Sequence, residues 1–157
     1  MSKERKEEEE GKKIKPEIYG MAGHLIRRLH QISDHLFQIK IKKAGFSLTP
    51  VQFSAMSIIH LEPGTDQAGV SEKIAYDRAT IGEVIDRLES KGYVNKQVNS
   101  QDRRARQISL TDEGEKLFRE IFPVVKKMQR DILSNLTDEE QKLFLILAKK
   151  ASGITGQ

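Results

Sequence analysis

Residues 66–111 read DQAGVSEKIAYDRATIGEVIDRLESKGYVNKQVNSQDRRARQISLT, and the order of caps, apolar repeats and turn residues in this stretch decides the fold. Asp66 is placed to cap a short helix over 67–74, and Asp77 to cap a second over 78–91, because each carboxylate can accept from a free backbone N–H of the first turn. Only Ala75 and Tyr76 separate them, the spacing of a helix-turn-helix. Gly92 ends the second helix in the left-handed geometry that glycine adopts without penalty. Residues 93–98 then read as a strand, 99–104 as a polar turn and 105–110 as the returning strand. A basic hairpin directly after a helix-turn-helix is a wing.

The flanking sequence is helical. Thr49 caps a helix with Pro50 at its first position, running through Phe53, Met56, Ile58 and Ile59 to about Leu61, and Glu62, Pro63 and Gly64 close it. Before it, Pro16 opens a long helix reaching about Lys43, on which Leu25, Leu29, Ile32, Leu36 and Ile39 recur at spacings of three and four. Thr111 caps another, with Leu117, Phe118, Ile121, Val125, Met128 and Ile132 at helical spacing and a kink expected at Pro123. Thr137 and Glu140 form a capping-box pattern opening a last helix through Leu143, Phe144, Ile146 and Leu147. The fold class is therefore mainly α with a small β-hairpin wing. Residues 1–15 read as a charged, flexible arm and 151–157 as a flexible tail.

Composition narrows the chemistry. The chain has 157 residues, 37% hydrophobic and 32% charged, which suits a folded, strongly solvated protein. It has no cysteine, which excludes disulfides, thiolate metal sites, cysteine nucleophiles and thiol redox sensing. No apolar run approaches the ~18 residues of a membrane span, and the N-terminus is charged where a signal peptide is apolar, so a cytoplasmic protein is expected. No Gly-rich phosphate loop or nucleophile–base spacing appears, and Glu139 and Glu140 sit at a solvated helix start, so neither an enzyme nor a cofactor is called for. His30 and His35 lie five apart, His24 and His60 farther still, so no metal site is expected either.

The net charge of +4 is a weak pointer to nucleic acid, but its placement is stronger. Between positions 96 and 106 stand Lys96, Arg103, Arg104 and Arg106 against the single carboxylate of Asp102. A recognition helix must offer polar side chains to base edges from its first turns while the opposite face packs. Tyr76, Arg78, Ala79, Thr80 and Glu83 occupy those positions, and Ile81, Val84, Ile85 and Leu88 supply the inner face. Arg78 suits guanine or phosphate, Thr80 a base or phosphate, and Arg87 a phosphate, while Gly82 would let the backbone come close and Asp77 serves as a cap. At the wing, Arg103, Arg104 and Arg106 suit the negative potential of a minor groove. Asp102 makes sense as the acceptor that holds one of these arginines in place.

The run Asp102-Arg103-Arg104-Ala105-Arg106-Gln107-Ile108-Ser109-Leu110-Thr111, with Glu113-Gly114 after it, resembles the wing signature of the MarR-type regulators. The helix pair IAYDRATIGEVIDRLESKGYV resembles their reading unit, and the likeness spans about residues 18–150. It implies a homodimer on a palindromic operator, with residues 16–45 and 112–150 as the dimerisation region and 48–111 as the winged DNA-binding domain. It also implies a small ligand that loosens DNA binding. The segments MAGHLIRRLHQIS, LTPVQF and IAYDRATIG resemble a subgroup responsive to aromatic acids, and the lack of cysteine sets the chain apart from peroxide sensors. On the first helix His24, Arg27, Arg28, Gln31 and His35 share an arc of about 100° beside the apolar stripe. They form an expected effector site, with an arginine for a carboxylate, a histidine for a ring substituent, and Phe53 or Met56 for the ring's faces. A repressor released by an aromatic acid or its thioester, and an architectural or activating protein without an effector, both fit these residues.

Overall fold

The computed structural model describes residues 17–98 and 106–154. The arm, the wing tip and the last three residues lie outside this range. The described residues form a 3-10 turn (Glu17–Gly20), six helices and one hairpin: α1 (Ala22–Lys43), α2 (Pro50–Leu61), α3 (Gln67–Ile74), α4 (Arg78–Ser90), β1 (Val94–Val98), β2 (Arg106–Leu110), α5 (Asp112–Ile132) and α6 (Asp138–Ala151). None of these helices is long and apolar enough to cross a membrane.

Local chemistry sets the boundaries. Thr49, Asp66, Asp77, Thr111 and Thr137 each accept a backbone N–H in the first turn of the helix that follows. Thr49 with Gln52 and Thr137 with Glu140 close full capping boxes. The first helix departs from expectation. It begins at Ala22 after a separate 3-10 turn, and its cap residue, Met21, has no side-chain acceptor to offer. The last but one runs unbroken through Pro123.

One core runs through the chain. Ala55, Met56 and Ile59 of α2, Val70 of α3, and Ile81, Val84, Ile85 and Leu88 of α4 meet Val94 and Ile108 of the hairpin. The same core continues into Phe118, Ile121, Val125 and Met128 of α5 and Phe37 and Ile41 of α1. Lys40 and Asp131 pair at 2.6 Å where α1 crosses α5. The stripe expected to pack α1 inward is not the buried one: Leu25, Ile32 and Ile39 are exposed, and Phe37 and Ile41, one turn apart, face the core.

The hairpin is antiparallel with Val94 opposite Leu110, Lys96 opposite Ile108 and Val98 opposite Arg106. The α2–α3 connection joins it: Ile108 N donates to Thr65 O at 2.7 Å, and Gly64 N to Ile108 O at 2.9 Å. Gly64 (φ +86) turns the chain into that bridge. At the other end Thr111 does two jobs. Its hydroxyl donates to Gly92 O at 2.6 Å and accepts from Gly114 N at 3.0 Å, so the end of α4 is clasped to the start of α5. Gly114 must be glycine there, because a Cβ would lie 2.1 Å from the carbonyl oxygen of Tyr93.

Candidate nucleic-acid interface

The site grows from the turn between α3 and α4. Ala75 ends α3 in the left-handed region (φ 55), a conformation that costs a residue with a Cβ. It is held by Tyr76 N donating to Ser71 O (3.2 Å) and by the buried Ser71 hydroxyl donating to Tyr76 O at 2.5 Å. Asp77 then opens α4, accepting from Thr80 N (2.9 Å) and from the Thr80 hydroxyl (2.6 Å). The Thr80 hydroxyl, followed by its N–H, holds the Asp77 carboxyl below its ordinary value. Thr80, expected at a base or a phosphate, donates its hydroxyl proton to this cap in the chain alone.

The two helices lock through one side chain. Gln67 Nε2 donates to Arg78 O at 2.7 Å, and a Cβ on Gly82 would meet that same nitrogen at 2.8 Å. Gly82 therefore also serves the close packing of α4 on α3. The remaining expected residues stand clear: Tyr76, Arg78, Ala79, Glu83 and Arg87 are all exposed. Ala79, Glu83 and Arg87 follow at four-residue spacing along one face. Arg87 and Glu83 approach to 3.8 Å with both side chains largely in water, a pairing too weak to withhold the guanidinium from a phosphate.

The wing is braced against this helix by Lys96. Its ammonium lies 2.5 Å from Asp86 and 2.8 Å from Glu89, with 17% of the side chain exposed. Hydrogen bonds to Asp86 and then Glu89 push its pKa up, so it is cationic throughout the physiological range. In the sequence Lys96 contributes to the local positive excess of residues 96–106. The structure places it between two carboxylates of α4, where it fixes the angle between wing and recognition helix. Arg106 is exposed opposite Val98, while Asp102, Arg103 and Arg104 lie outside the described residues.

The expected effector residues lie on α1 and α2. Arg27, Arg28, Gln31 and His35 are exposed on α1. His24 sits beside the Tyr19 ring at 5.6 Å, its Nε2 shielded from solvent and without a partner among the described residues. Phe53 is half-buried in an aromatic row, 6.0 Å from Phe37 and 5.7 Å from Phe118. Met56 is fully buried, so it presents no surface to a ligand and at most supports a pocket from beneath. Surface crevices of about 610 and 440 Å³ are lined by none of these residues.

One contact escaped the sequence reading altogether. His60 Nδ1 lies 2.9 Å from Glu115 and its ring 4.6 Å from Phe118, tying the end of α2 to α5. Nothing in the spacing of two residues 55 apart signals that pair.

Comparison with known proteins agrees with this geometry. Residues 48–105 match the model of the MarR family. The transcriptional regulator HosA of Escherichia coli is 32% identical over 129 residues, covering 82% of this chain and 93% of that protein. The PcaV transcriptional regulator of Streptomyces coelicolor, in complex with its natural ligand, superposes with a TM-score of 0.78 at 31% identity, over 87% of this chain and 94% of PcaV. BpsR of Bordetella bronchiseptica, whose DNA binding is regulated by 6-hydroxynicotinic acid, gives 0.78 at 27% identity over 84% and 93%. With the paired helices, the hairpin and a relative matched over nearly its whole length, the chain belongs to the MarR family, DNA-binding transcriptional regulators rather than enzymes.

Proposed function

We propose that this chain acts as a homodimeric, sequence-specific repressor in the cytoplasm, bound to a palindromic operator and released by a small aromatic acid or its thioester. The outer face of α4 carries this reading. Asp77, Thr80, Gly82 and Lys96 are consumed in holding the helix, which leaves Tyr76, Arg78, Ala79, Glu83 and Arg87 presented to a groove. In this reading Arg78 and Glu83 address base edges, and Arg87 meets a phosphate. Arg103, Arg104 and Arg106 follow the adjacent minor groove, with Asp102 as their support.

Residues 16–45 and 112–150 form the dimerisation region around the winged domain of 48–111. The exposed apolar side chains of α1 and α6 support that division. Relatives that carry a natural ligand, or that answer to 6-hydroxynicotinic acid, support an effector for this chain too. His24, Arg27, Arg28, Gln31 and His35 would edge its site, with the Phe53 ring beneath and Met56 in support. The shielded, unpartnered Nε2 of His24 is the group most in need of a ligand or a partner subunit.

The test is binding of an operator selected by the protein from random duplexes, followed by fluorescence anisotropy at several salt concentrations. Arg104→Ala is expected to weaken all sequences alike and lower the salt slope by about 1. Arg78→Ala is expected to cost about 1–3 kcal/mol on the operator and far less on random DNA. Equal losses on both duplexes for both variants would overturn the division of roles. Aromatic acids and acyl thioesters added at fixed salt should lower operator affinity. No response across the panel favours the architectural or activating alternative.

A further inference from the structure

Beside the recognition helix, and sharing Arg87 with the proposed DNA-reading face, the end of α1, the 44–49 turn, the start of α2 and the end of α4 line an open crevice of about 610 Å³. Its floor is apolar, formed by Ile41, Phe46 and Leu48, and its rim carries Lys42, Arg87 and Lys91. No carboxylate lines it. Cations at the C-terminal ends of helices are ordinary, since they answer the partial negative charge of the last carbonyls. Here two such ends, Lys42 on α1 and Lys91 on α4, converge on one hollow together with an arginine.

Two of the polar side chains lining it are already occupied. Gln52 is spent on the cap of α2, where its carbonyl accepts from Thr49 N at 3.1 Å, and the Ser90 hydroxyl donates to Arg87 O at 2.9 Å. Lys91 is steadied at the rim by donating to Ser47 O at 3.3 Å, a neutral partner that leaves its charge uncompensated. The volume lies within the ~300–1,000 Å³ range of small-molecule sites.

We infer that this crevice binds a small organic anion with at least two negative charges on an apolar or aromatic body, an aryl phosphate being the simplest example. Lys42, Arg87 and Lys91 take the charge, and Ile41, Phe46 and Leu48 take the body. A backbone phosphate of bound DNA would meet the same cations, but it brings no apolar group to the floor. Because the walls come from both the long first helix and the recognition helix, an occupant contacts the two at once.

The experiment is a titration of the isotope-labelled full chain, followed by amide NMR, with phenyl phosphate, inorganic phosphate and benzoate as probes. Saturable shifts at Ile41, Leu48 and Ser90 are expected, with phenyl phosphate bound about tenfold more tightly than either of the others. The double variant Lys42→Ala/Lys91→Ala should lose at least about tenfold in phenyl phosphate affinity while its melting temperature is unchanged. Shifts that fail to saturate by about 10 mM, or that survive in the double variant, overturn the proposal. So does a double variant that binds phenyl phosphate as before while the salt slope for DNA falls by about 2, which assigns the rim to the DNA backbone instead.

Discussion

Helices α4 and α6 are nearly equal in length, 13 and 14 residues, and both place apolar side chains at helical spacing, yet they end in opposite conditions. Helix α4 buries Ile81, Val84, Ile85 and Leu88 inside its own chain. Helix α6 buries nothing, and Leu143, Leu145, Ile146 and Leu147 are each more than half exposed. Leu25, Ile26, Ile32 and Ile39 of α1 and Phe122 of α5 are exposed as well, at 40–66%. One region is finished by the chain's own residues, and the other leaves its apolar face uncovered in the single chain. Exposed apolar area on this scale is characteristic of an association surface.

The sharpest way to break the contrast is to charge α6. Leu143→Glu/Ile146→Glu is expected to halve the mass in sedimentation and to weaken operator binding about 10²–10⁴-fold, since each half-site then binds alone, while helical circular dichroism persists. A double variant that keeps its mass would show that α6 is not the surface a second copy covers. Within the finished region the largest effect belongs to Gly114→Ala. The added methyl cannot coexist with the Tyr93 carbonyl, and a loss of about 3 kcal/mol or more in denaturant unfolding is expected. A neutral result would mean that the start of α5 yields freely from the wing.

Smaller changes sharpen how the recognition helix is held. Lys96→Met should cost about 1–2 kcal/mol and loosen the hairpin in hydrogen exchange, because Asp86 and Glu89 are left without their shared cation. Ala75→Gly should raise stability by about 0.5–1 kcal/mol, since glycine takes the left-handed turn without a Cβ clash. The smallest effect is on pH. The folded pKa of Asp77 lies below its ordinary value of 3.8, so its contribution is complete above that value and is lost as pH falls through the folded pKa. Asp77→Asn should therefore flatten part of the acid limb of thermal stability while leaving the melting temperature's shape near neutrality alone.

Much of this was readable in advance because it is local. A cap needs only one acceptor at one position, so Thr49, Asp66, Asp77, Thr111 and Thr137 gave every described α-helix after the first its starting point. What resisted reading is what depends on a partner. Periodicity on α1 picks out the Leu25–Ile39 stripe as the more hydrophobic, yet it is silent on which neighbour covers a stripe, and Phe37 with Ile41 turned out to hold the core. Counting charge around the wing cannot reveal that Lys96 is neutralised by two carboxylates on the preceding helix. The turn rule looks for glycine at a left-handed position, and Ala75 holds that geometry through Ser71 instead. For the expected effector residues the sequence offers only a shared arc on α1, which says nothing of what faces it.

The contact between Gly114 and the Tyr93 carbonyl also has a mechanical meaning. It sits at one end of α5, a 21-residue rod about 32 Å long whose far end leads into α6. Backbone against backbone, with no side chain between to compress, makes a stiff fulcrum. A tilt of about 5° at the far end of such a rod corresponds to about 3 Å of travel at the wing, several times the ~0.7 Å that separates a made hydrogen bond from a broken one. On the proposed reading as a dimer, release of DNA would then need no unfolding of the reading head, only a change in the angle at which the two α5 rods leave their shared base.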